Sequence, residues 1–500
     1  MTSQTATSLT VKPQSESAAE TPERIISIGF KQTPQGGATA RPPARARRMR
    51  PVRLAAPRVA FMQDGARLHY ALPAALHRAG LLTHVYTEWY NDQSPVARLQ
   101  LAAMRCVQPG IARRLGECKS SLLQGAAIID AKTLGLLQHM TRHCLGESSD
   151  WFSRLGRMIG RRRLAHGPLA TQGADILFAF SPCVDKEMVE ALHQRGIRVV
   201  LDQAEAPAAE LAQQMRLNGV LWPHWAMPDA TLNCDRQAVR EIELLQAADH
   251  VTCPSAFVRS RLIEQGVPAQ RISLMPYPVD VSDYPAVNRA HRTGPMTVGF
   301  VGEVGLRKGA PWFYEVARRC AGTDIRFVMV GNVQLPSQTQ AMLGQKVELV
   351  GPVPRSQVFE WLSRFDVLLF PSTCEGSPSA VMEAMATGLP VVTTPTSGTL
   401  VRPGTDGYIA PYDQPDALAA FVLKLAGNRP LRLAMGLAAQ QRAKEFSIEH
   451  YAKRINVLMR RVHADDLPDL LPRENARASP TPAEWASEAC AKNGLVASIT

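Results

Sequence analysis

The sequence contains 500 residues, of which 45% are apolar and 20% charged, so it exceeds what one hydrophobic core supports and we expect two soluble globular domains plus tails. Its nine cysteines are odd in number, scattered and never spaced as Cys-x-x-Cys, which argues against a disulfide framework or zinc ribbon and indicates a cytoplasmic chain. No apolar run approaches the roughly 18 residues of a membrane span, and the first residues lack an apolar signal core, so we expect neither secretion nor a spanning helix.

The formal net charge of +12 is distributed unevenly, because residues 1–53 contain nine basic and three acidic residues and so supply half of it. The same segment is rich in Ser, Thr, Pro and Gln and has too little apolar surface to offset the entropy of ordering. We therefore predict a disordered basic arm over residues 1–54. Peripheral contact with an anionic membrane is the alternative for this arm and for the cluster Arg161, Arg162 and Arg163. We expect no nucleic acid partner.

From Val59 onward, short apolar runs alternate with helical patterns, as in an α/β domain. The first run is followed by the turn Gln63-Asp-Gly65 and a helical pattern over residues 68–78. The further predicted strands are residues 175–180, 197–201, 250–253 and 271–275, and the further predicted helices are 188–193, 236–248 and one that ends at Gly266. Residues 90–170 are helical or irregular by pattern, in no clear order.

A second α/β series follows a stretch, residues 280–295, in which Pro, Asp, Asn and Gly replace the apolar periodicity. Its predicted strands are residues 296–301, 325–330, 347–350, 367–370 and 391–393, and its helical windows are 312–320, 336–344, 355–364 and 379–387. Such alternation requires crossover connections and a mostly parallel sheet. The predicted fold class is therefore α/β, with two Rossmann-like domains.

The predicted domain limits follow from these two series. They are an N-terminal Rossmann-like domain over residues 55–285, a C-terminal Rossmann-like domain over 293–445, a helix over 446–465 that packs back towards the N-terminal domain, and a flexible tail over 466–500.

Ligands of parallel sheets bind beyond the carboxyl ends of the strands, so the loops after the strands are the first places to look for chemistry. The loop Gly302-Glu-Val-Gly-Leu-Arg-Lys-Gly309 follows a predicted strand and contains Gly305, Arg307 and Lys308. Its glycines let the backbone approach a ligand, while two cations beside a helix N-terminus favour a diphosphate. A glycine turn with solvated cations explains the loop equally well.

The loop from Pro371 to Pro390 also follows a buried strand and contains two glutamates, Glu375 and Glu383. Ser377 and Pro378 suit the N-cap and first position of a helix, so we predict that the helix begins there and leaves early N–H groups for phosphate oxygens. Carboxylates suit sugars because their two oxygens accept hydrogen bonds from neighbouring hydroxyls. The alternative is a capped helix with a solvated glutamate pair.

These residues resemble a known family. The segment EGSPSAVMEAMATGLPVV, which begins at Glu375, is similar to the Glu-x7-Glu donor motif of glycosyltransferase family 4, and LRKG at 306–309 resembles that family's diphosphate loop. The resemblance covers roughly residues 240–430. It implies a GT-B fold, in which two Rossmann-like domains face each other across a cleft. The domain over residues 55–285 would bind the acceptor and the domain over 293–445 the donor. It also implies retaining transfer of a sugar from a nucleotide-sugar to a sugar or lipid-linked acceptor, in polysaccharide or glycolipid biosynthesis.

The resemblance also implies roles for individual residues. Glu375 would bind the donor sugar, Glu383 the ribose and Lys308 the diphosphate, with Arg307 as the second cation. The remaining donor contacts would come from the backbone at Gly305, Gly376, Ser379 and Ala380. Catalysis would rest on Glu375, Lys308 and Arg307.

The chain departs from the family pattern at three places. Glu303 stands where many members have an arginine, Pro278 replaces the usual glycine, and the acceptor-side histidine has no clear counterpart. The acceptor-side candidates are therefore Gly65, Asp202 and Glu205, while His69 is expected to be a packed or surface residue. The sequence contains no Asp-x-Asp, so we expect neither metal nor cofactor and a diphosphate stabilised by cations and helix dipoles.

Two other functions remain open at this point. A nucleotide-sugar epimerase shares the fold, and a degenerate, non-catalytic nucleotide-sugar-binding protein would accommodate Glu303 and the missing histidine. A dinucleotide oxidoreductase fits least, because the glycine fingerprint is missing.

Overall fold

Two all-parallel β-sheets, one in each half of the chain, form the framework of the computed structural model. The structure describes residues 55–130, 173–227 and 234–465, with only the backbone described at 234–236. The predicted arm, the tail over 466–500 and the arginine cluster at 161–163 lie outside the described residues.

The first sheet is built from residues in the N-terminal half. Its strands are β1 (Val59–Met62), β2 (Leu82–Thr87), β3 (Ile128–Asp130), β4 (Ile176–Phe180), β5 (Arg198–Asp202), β6 (His250–Cys253) and β7 (Ile272–Leu274). The described helices in this half are α1 (Ala71–Arg78), α2 (Pro95–Val107), α3 (Pro109–Gly116), α4 (Lys186–His193), α5 (Ala208–Leu221), α6 (Cys234–Ala247) and α7 (Ala256–Glu264). The strand order is β3-β2-β1-β4-β5-β6-β7.

The second sheet follows the same plan. Its strands are β8 (Met296–Val301), β9 (Ile325–Val330), β10 (Glu348–Gly351), β11 (Val367–Phe370), β12 (Val391–Thr393) and β13 (Gly407–Ile409). The helices are α8 (Ala310–Arg319), α9 (Ser337–Gly344), α10 (Arg355–Arg364), α11 (Ser379–Ala386), α12 (Pro415–Gly427), α13 (Arg429–Lys444) and α14 (Ile448–Ala464). The strand order is β10-β9-β8-β11-β12-β13. The predicted fold class, two Rossmann-like parallel sheets, is confirmed.

The central strands are continuous apolar runs because helices cover both faces of each sheet. Every residue of β4 and of β11 is buried. Each sheet reverses its strand order once, between β1 and β4 in the first and between β8 and β11 in the second. Ligand sites of open α/β sheets lie at such switch points. In the second sheet the two flanking loops are those that contain Lys308 and Glu375.

Three strands were not predicted. Strand β2 was not recognised because the polar residue His84 interrupts its apolar run. In the structure His84 is buried, and its Nε2 pairs with the Tyr86 hydroxyl at 2.9 Å. Strands β3 and β13 have three residues each, too few for a period-2 pattern to emerge.

The predicted helix over residues 68–78 is wrong at its start. Leu68, His69 and Tyr70 all have positive φ, between 47° and 62°, so the chain makes a left-handed turn and α1 begins only at Ala71. Left-handed backbone is costly for residues that carry a Cβ atom. Hydrophobic spacing cannot reveal such a turn, because the apolar pattern is the same for either hand.

Segments from each half pack on the sheet of the other. Tyr451 and Ile455 of α14 share a buried core with Phe61 and Phe178 of the first sheet. After α5, Trp225 is buried in the core of the second sheet. These crossings connect the two sheets; the predicted domain limits themselves stay a prediction.

Among the described residues, none of the helices has the combination of length and apolarity that crossing a bilayer requires.

Candidate functional site

The loops after β8 and β11 lie against each other at the switch point of the second sheet. Gly309 has a φ of +78°, and a Cβ atom there would lie 2.0 Å from the carbonyl oxygen of Pro371, so only glycine permits this approach. The Arg307 carbonyl accepts hydrogen bonds from the Thr373 N–H at 3.0 Å and the Ser372 hydroxyl at 3.1 Å. The two loops are thus held together through their backbones.

Glu375 is at the centre of this contact. Its Oε1 accepts a hydrogen bond from Nη1 of Arg307 at 2.6 Å and pairs with Nζ of Lys308 at 2.8 Å. The Glu375 side chain is only 9% exposed, against 16% for Lys308 and 29% for Arg307. Burial strengthens such charge-assisted bonds. The cluster has two positive charges and one negative charge, so it retains a net attraction for an anion.

Lys308 is further fixed by its surroundings. Its ammonium nitrogen lies 5.3 Å from the centre of the Phe370 ring, within the range of a cation–π contact. Glu303, the departure from the family pattern, is exposed. Arg307 therefore supplies the second positive charge next to Lys308.

Glu383 has a different partner from Glu375. Its Oε1 lies 2.7 Å from Nη2 of Arg355, and its side chain is 4% exposed. Arg355 also lies over the ring of Tyr284, 5.2 Å from its centre. Burial lowers the pKa of Arg355, but the Glu383 carboxylate more than offsets this and the pKa is raised.

Sequence reasoning missed Arg355. It is the first residue of α10, directly beyond the carboxyl end of β10. The rule that pointed to the loops after β8 and β11 applies to this loop too. No glycine or carboxylate motif drew attention to it.

The start of α11 corrects the sequence prediction by one residue. Pro378 is the N-cap and Ser379 the first helical residue, and no side chain caps the helix. The backbone of Pro378, with φ of −73° and ψ of 118°, is still extended, so the helix begins one residue later than predicted. The N–H groups of Ser379 and Ala380 lie in the first turn, where no helical carbonyl can accept their hydrogen bonds. The predicted donors are therefore available.

Asp202, one of the acceptor-side candidates, is wrong as a cleft residue. It has no exposed surface, and its carboxylate accepts hydrogen bonds from the Thr252 hydroxyl at 2.5 Å and from the Tyr277 hydroxyl. Burial raises the pKa of Asp202 to about 6, although both hydrogen bonds oppose the shift. Side chains alternate between the two faces of β5, and that of Asp202 points to a buried face of the sheet. There its hydrogen bonds link β5 to β6 and to the segment after β7.

Glu205 and Gly65 have the exposure that Asp202 lacks. The Glu205 side chain is 64% exposed and lies 3.8 Å from Arg67. Gly65 follows β1, and its carbonyl accepts a hydrogen bond from the Gln63 amide at 2.7 Å. A Cβ at Gly376 would lie 1.9 Å from the carbonyl oxygen of Ala204. The loop that contains Glu205 is therefore packed directly on the donor-side loop.

Helix α5 closes one side of this arrangement. The Asn218 amide donates to the Thr373 hydroxyl at 2.8 Å, and the Tyr412 hydroxyl donates to Gln214 at 3.1 Å. The Glu241 carboxylate accepts hydrogen bonds from the Gln203 amide at 2.9 Å and the Ala208 N–H at 2.7 Å. Glu241 thus holds both ends of the loop that covers Gly376.

His69 is solvent-exposed and lies within electrostatic range of the Arg355 and Glu383 pair. Desolvation by neighbouring protein atoms, and then the Arg355 cation, lower the pKa of His69, while Glu383 opposes the shift. His69 is therefore a neutral neighbour of that pair near pH 7.

In the described residues, no three His, Cys, Asp or Glu side chains come together as a metal site. Metal independence stays a prediction that activity measurements must test.

Comparison with known proteins finds a family match within the second half of the chain. Residues 295–428 match the family described as glycosyl transferases group 1. The amylovoran biosynthesis glycosyltransferase AmsK of Erwinia amylovora is 28% identical over 209 residues, which cover 39% of this chain and 51% of that protein. An Escherichia coli UDP-Gal:alpha-D-GlcNAc-diphosphoundecaprenol alpha-1,3-galactosyltransferase is 26% identical over 188 residues, or 33% of this chain and 48% of that protein. The chain thus spans about half the length of these relatives.

A solved structure shows the same fold across both sheets. The Anabaena protein HepE, crystallised with UDP-glucose, superposes with a TM-score of 0.52 at 14% identity and covers 81% of this chain and 99% of its own. The two parallel sheets and the meeting of their loops have the GT-B arrangement. Through its residues 295–428, the chain is therefore similar to the group 1 glycosyl transferases.

Proposed function

We propose that the protein is a glycosyltransferase that moves a sugar from a nucleotide-sugar to a sugar or lipid-linked acceptor, with retention of anomeric configuration. The observation that supports it most is the buried cluster of Glu375, Arg307 and Lys308 at the switch point of a group 1 domain.

The cluster suits departure of a nucleoside diphosphate. When the glycosidic bond to the phosphate breaks, negative charge develops on the leaving oxygen, and groups fixed in advance stabilise it most effectively. Lys308 and Arg307 are fixed by Glu375 and by the Phe370 ring. The free first-turn N–H groups of α11 add a second source of positive potential.

The two glutamates then have separate tasks. Glu375 lies where the donor loops meet and would accept hydroxyl groups of the transferred sugar. Glu383 is one turn inside α11 and paired with Arg355 through Oε1, and its carboxylate would accept the ribose hydroxyls. Because the two carboxylates have different cations, each can be changed without removing the charge partner of the other.

The acceptor would approach from the first sheet. Glu205 is exposed on the loop packed over Gly376, so its carboxylate is accessible to an acceptor. The galactosyltransferase relative acts, by its name, from UDP-Gal on a diphosphoundecaprenol-linked sugar. We extend that chemistry to this chain as a lipid-linked acceptor in polysaccharide or glycolipid biosynthesis, with no metal required.

Incubation of the full chain with radiolabelled UDP-, GDP- and ADP-sugars, with and without lipid-linked sugar acceptors, tests the proposal. We expect transfer with one donor, slow donor hydrolysis without acceptor, and unchanged activity in the presence of EDTA. A Lys346→Ala variant, which alters an exposed lysine of the same half, serves as the control. Binding without turnover, or release of an epimerised nucleotide-sugar, would contradict the proposal.

A further inference from the structure

Helix α2 is apolar on two opposite faces. Ala97, Leu101 and Met104 face inward and are buried in a small core with Trp89 and with residues of α3. This core holds the hairpin formed by α2 and α3 on the first sheet. The inner face is therefore fully accounted for by packing within the protein.

The outer face of the same helix has no such partner. Val96, Leu99 and Val107 are 58%, 72% and 61% exposed, and the exposed Ala103 lies between them. Their positions, i, i+3, i+7 and i+11, form one stripe along the helix. A surface helix ordinarily presents polar residues opposite its buried face. Exposed apolar stripes of this kind mark interaction surfaces.

The charged side chains within α2 and α3 all have one sign. From Gln93 to Gly116 there is no Asp or Glu, but there are four arginines, Arg98, Arg105, Arg113 and Arg114. All four are exposed, and none forms an ion pair with a described residue. Two of them, Arg98 and Arg105, are on α2 itself and lie on one side of that helix, between its buried face and its apolar stripe. Exposed arginines on other helices do find carboxylates, as Arg364 does with Glu360.

We propose that the α2–α3 hairpin is a membrane-docking surface that lies on anionic lipid. The apolar stripe would enter the boundary between headgroups and acyl chains while the arginines contact lipid phosphates, which is how an interfacial amphipathic helix binds. A second copy of the chain fits less well, because two faces with four arginines each repel one another. The inference depends on exposure and charge of the hairpin and not on the proposed enzymatic function.

Co-sedimentation of the full chain with lipid vesicles tests this surface directly. We expect binding to vesicles of phosphatidylglycerol mixed with phosphatidylcholine and little binding to phosphatidylcholine alone. The double variant Leu99→Ser with Val107→Ser should bind about tenfold more weakly or worse, because each buried methylene contributes to partition into lipid. Leu437→Ser, at a 69% exposed position of α13, is the matched control and should bind like wild type.

A charge variant distinguishes the hairpin from other basic parts of the chain. Arg98→Gln with Arg105→Gln should weaken binding to anionic vesicles by roughly 30-fold at low salt, at about 1 kcal/mol per arginine. The effect should shrink as salt rises. Neither pair of substitutions touches the inner core, so thermal unfolding should be unchanged.

Two results would overturn the proposal. Wild-type binding by both hairpin variants, with binding lost only when residues 1–50 are deleted, would assign the contact to the arm. A change in oligomeric state by light scattering, with vesicle binding unchanged, would assign the stripe to a second copy. Neither readout depends on catalysis, so failure here and failure of the proposed function are distinguishable.

Discussion

The two switch points of the molecule have opposite characters. In the second sheet, the loops after β8 and β11 bring two cations and a carboxylate into one buried cluster. In the first sheet, the loop after β1 makes a left-handed turn at Leu68 to Tyr70, and the nearby Asp202 is enclosed by hydroxyl donors. The second site is therefore organised for charge. The first is organised by backbone shape and packing.

Removal of one cation from the second site should produce the largest effect. Lys308→Ala should lower turnover by roughly 100- to 1,000-fold, as loss of one preorganised group at a developing oxyanion does. Its affinity for a nucleoside diphosphate should fall far more than its affinity for the nucleoside, because the ammonium acts on phosphate charge. Calorimetry with both ligands measures this. Equal losses for both would remove Lys308 from the diphosphate, and Lys346→Ala should change neither.

Separation of the two loops should produce a smaller loss. Gly376→Ala would place a methyl group 1.9 Å from the Ala204 carbonyl oxygen, so the loops must move apart. We expect turnover to fall by about 10- to 100-fold, since small misplacements of reacting groups are costly. Gly344→Ala, where an added Cβ meets nothing within 4 Å, is the control for steady-state kinetics. If both glycine variants are equally active, the contact between these loops does not matter for turnover.

The smallest effect concerns the first sheet and appears in stability alone. Burial raises the pKa of Asp202 to about 6, above its unfolded value of about 3.9. The folded state therefore binds more protons between these values, and this group's contribution to stability falls as pH rises from about 4 to about 6. The total is on the order of 2 to 3 kcal/mol.

Urea unfolding of wild type and Asp202→Asn at pH 4.5 and pH 7 measures that contribution. The free energy of unfolding of the variant, relative to that of wild type, should be higher at pH 7 than at pH 4.5, because the variant has no carboxylate to ionise. A difference that is the same at both pH values would show that Asp202 does not titrate in this range.

The same contrast explains what the sequence could predict. Strands β8 and β11 are largely apolar runs, and the loops that contain Lys308, Arg307 and Glu375 follow them directly. Local pattern was therefore sufficient to predict where these three residues lie, while their roles stay a prediction. Asp202 was wrongly predicted to lie on the acceptor side, because its burial depends on Thr252 and Tyr277, which are distant from it along the chain. The left-handed turn and the role of Arg355 also depend on tertiary contacts that no local period encodes.

The central claim is that Glu375 and Glu383 act on different parts of one donor, and a single pair of variants tests it most directly. Calorimetry with nucleoside diphosphate and steady-state kinetics with the best donor should be measured for Glu375→Gln and Glu383→Gln.

Glu375→Gln should lower turnover while diphosphate affinity stays near wild type, because Lys308 and Arg307 keep their charges. Glu383→Gln should mainly weaken binding of the nucleotide, because Arg355 and the ribose then face a neutral amide in place of a carboxylate. Each lost charge-assisted hydrogen bond costs about 1.5 to 3 kcal/mol, or roughly ten- to a hundredfold. If both variants bind and turn over like wild type, the two glutamates only support a helix and the glycosyltransferase proposal fails.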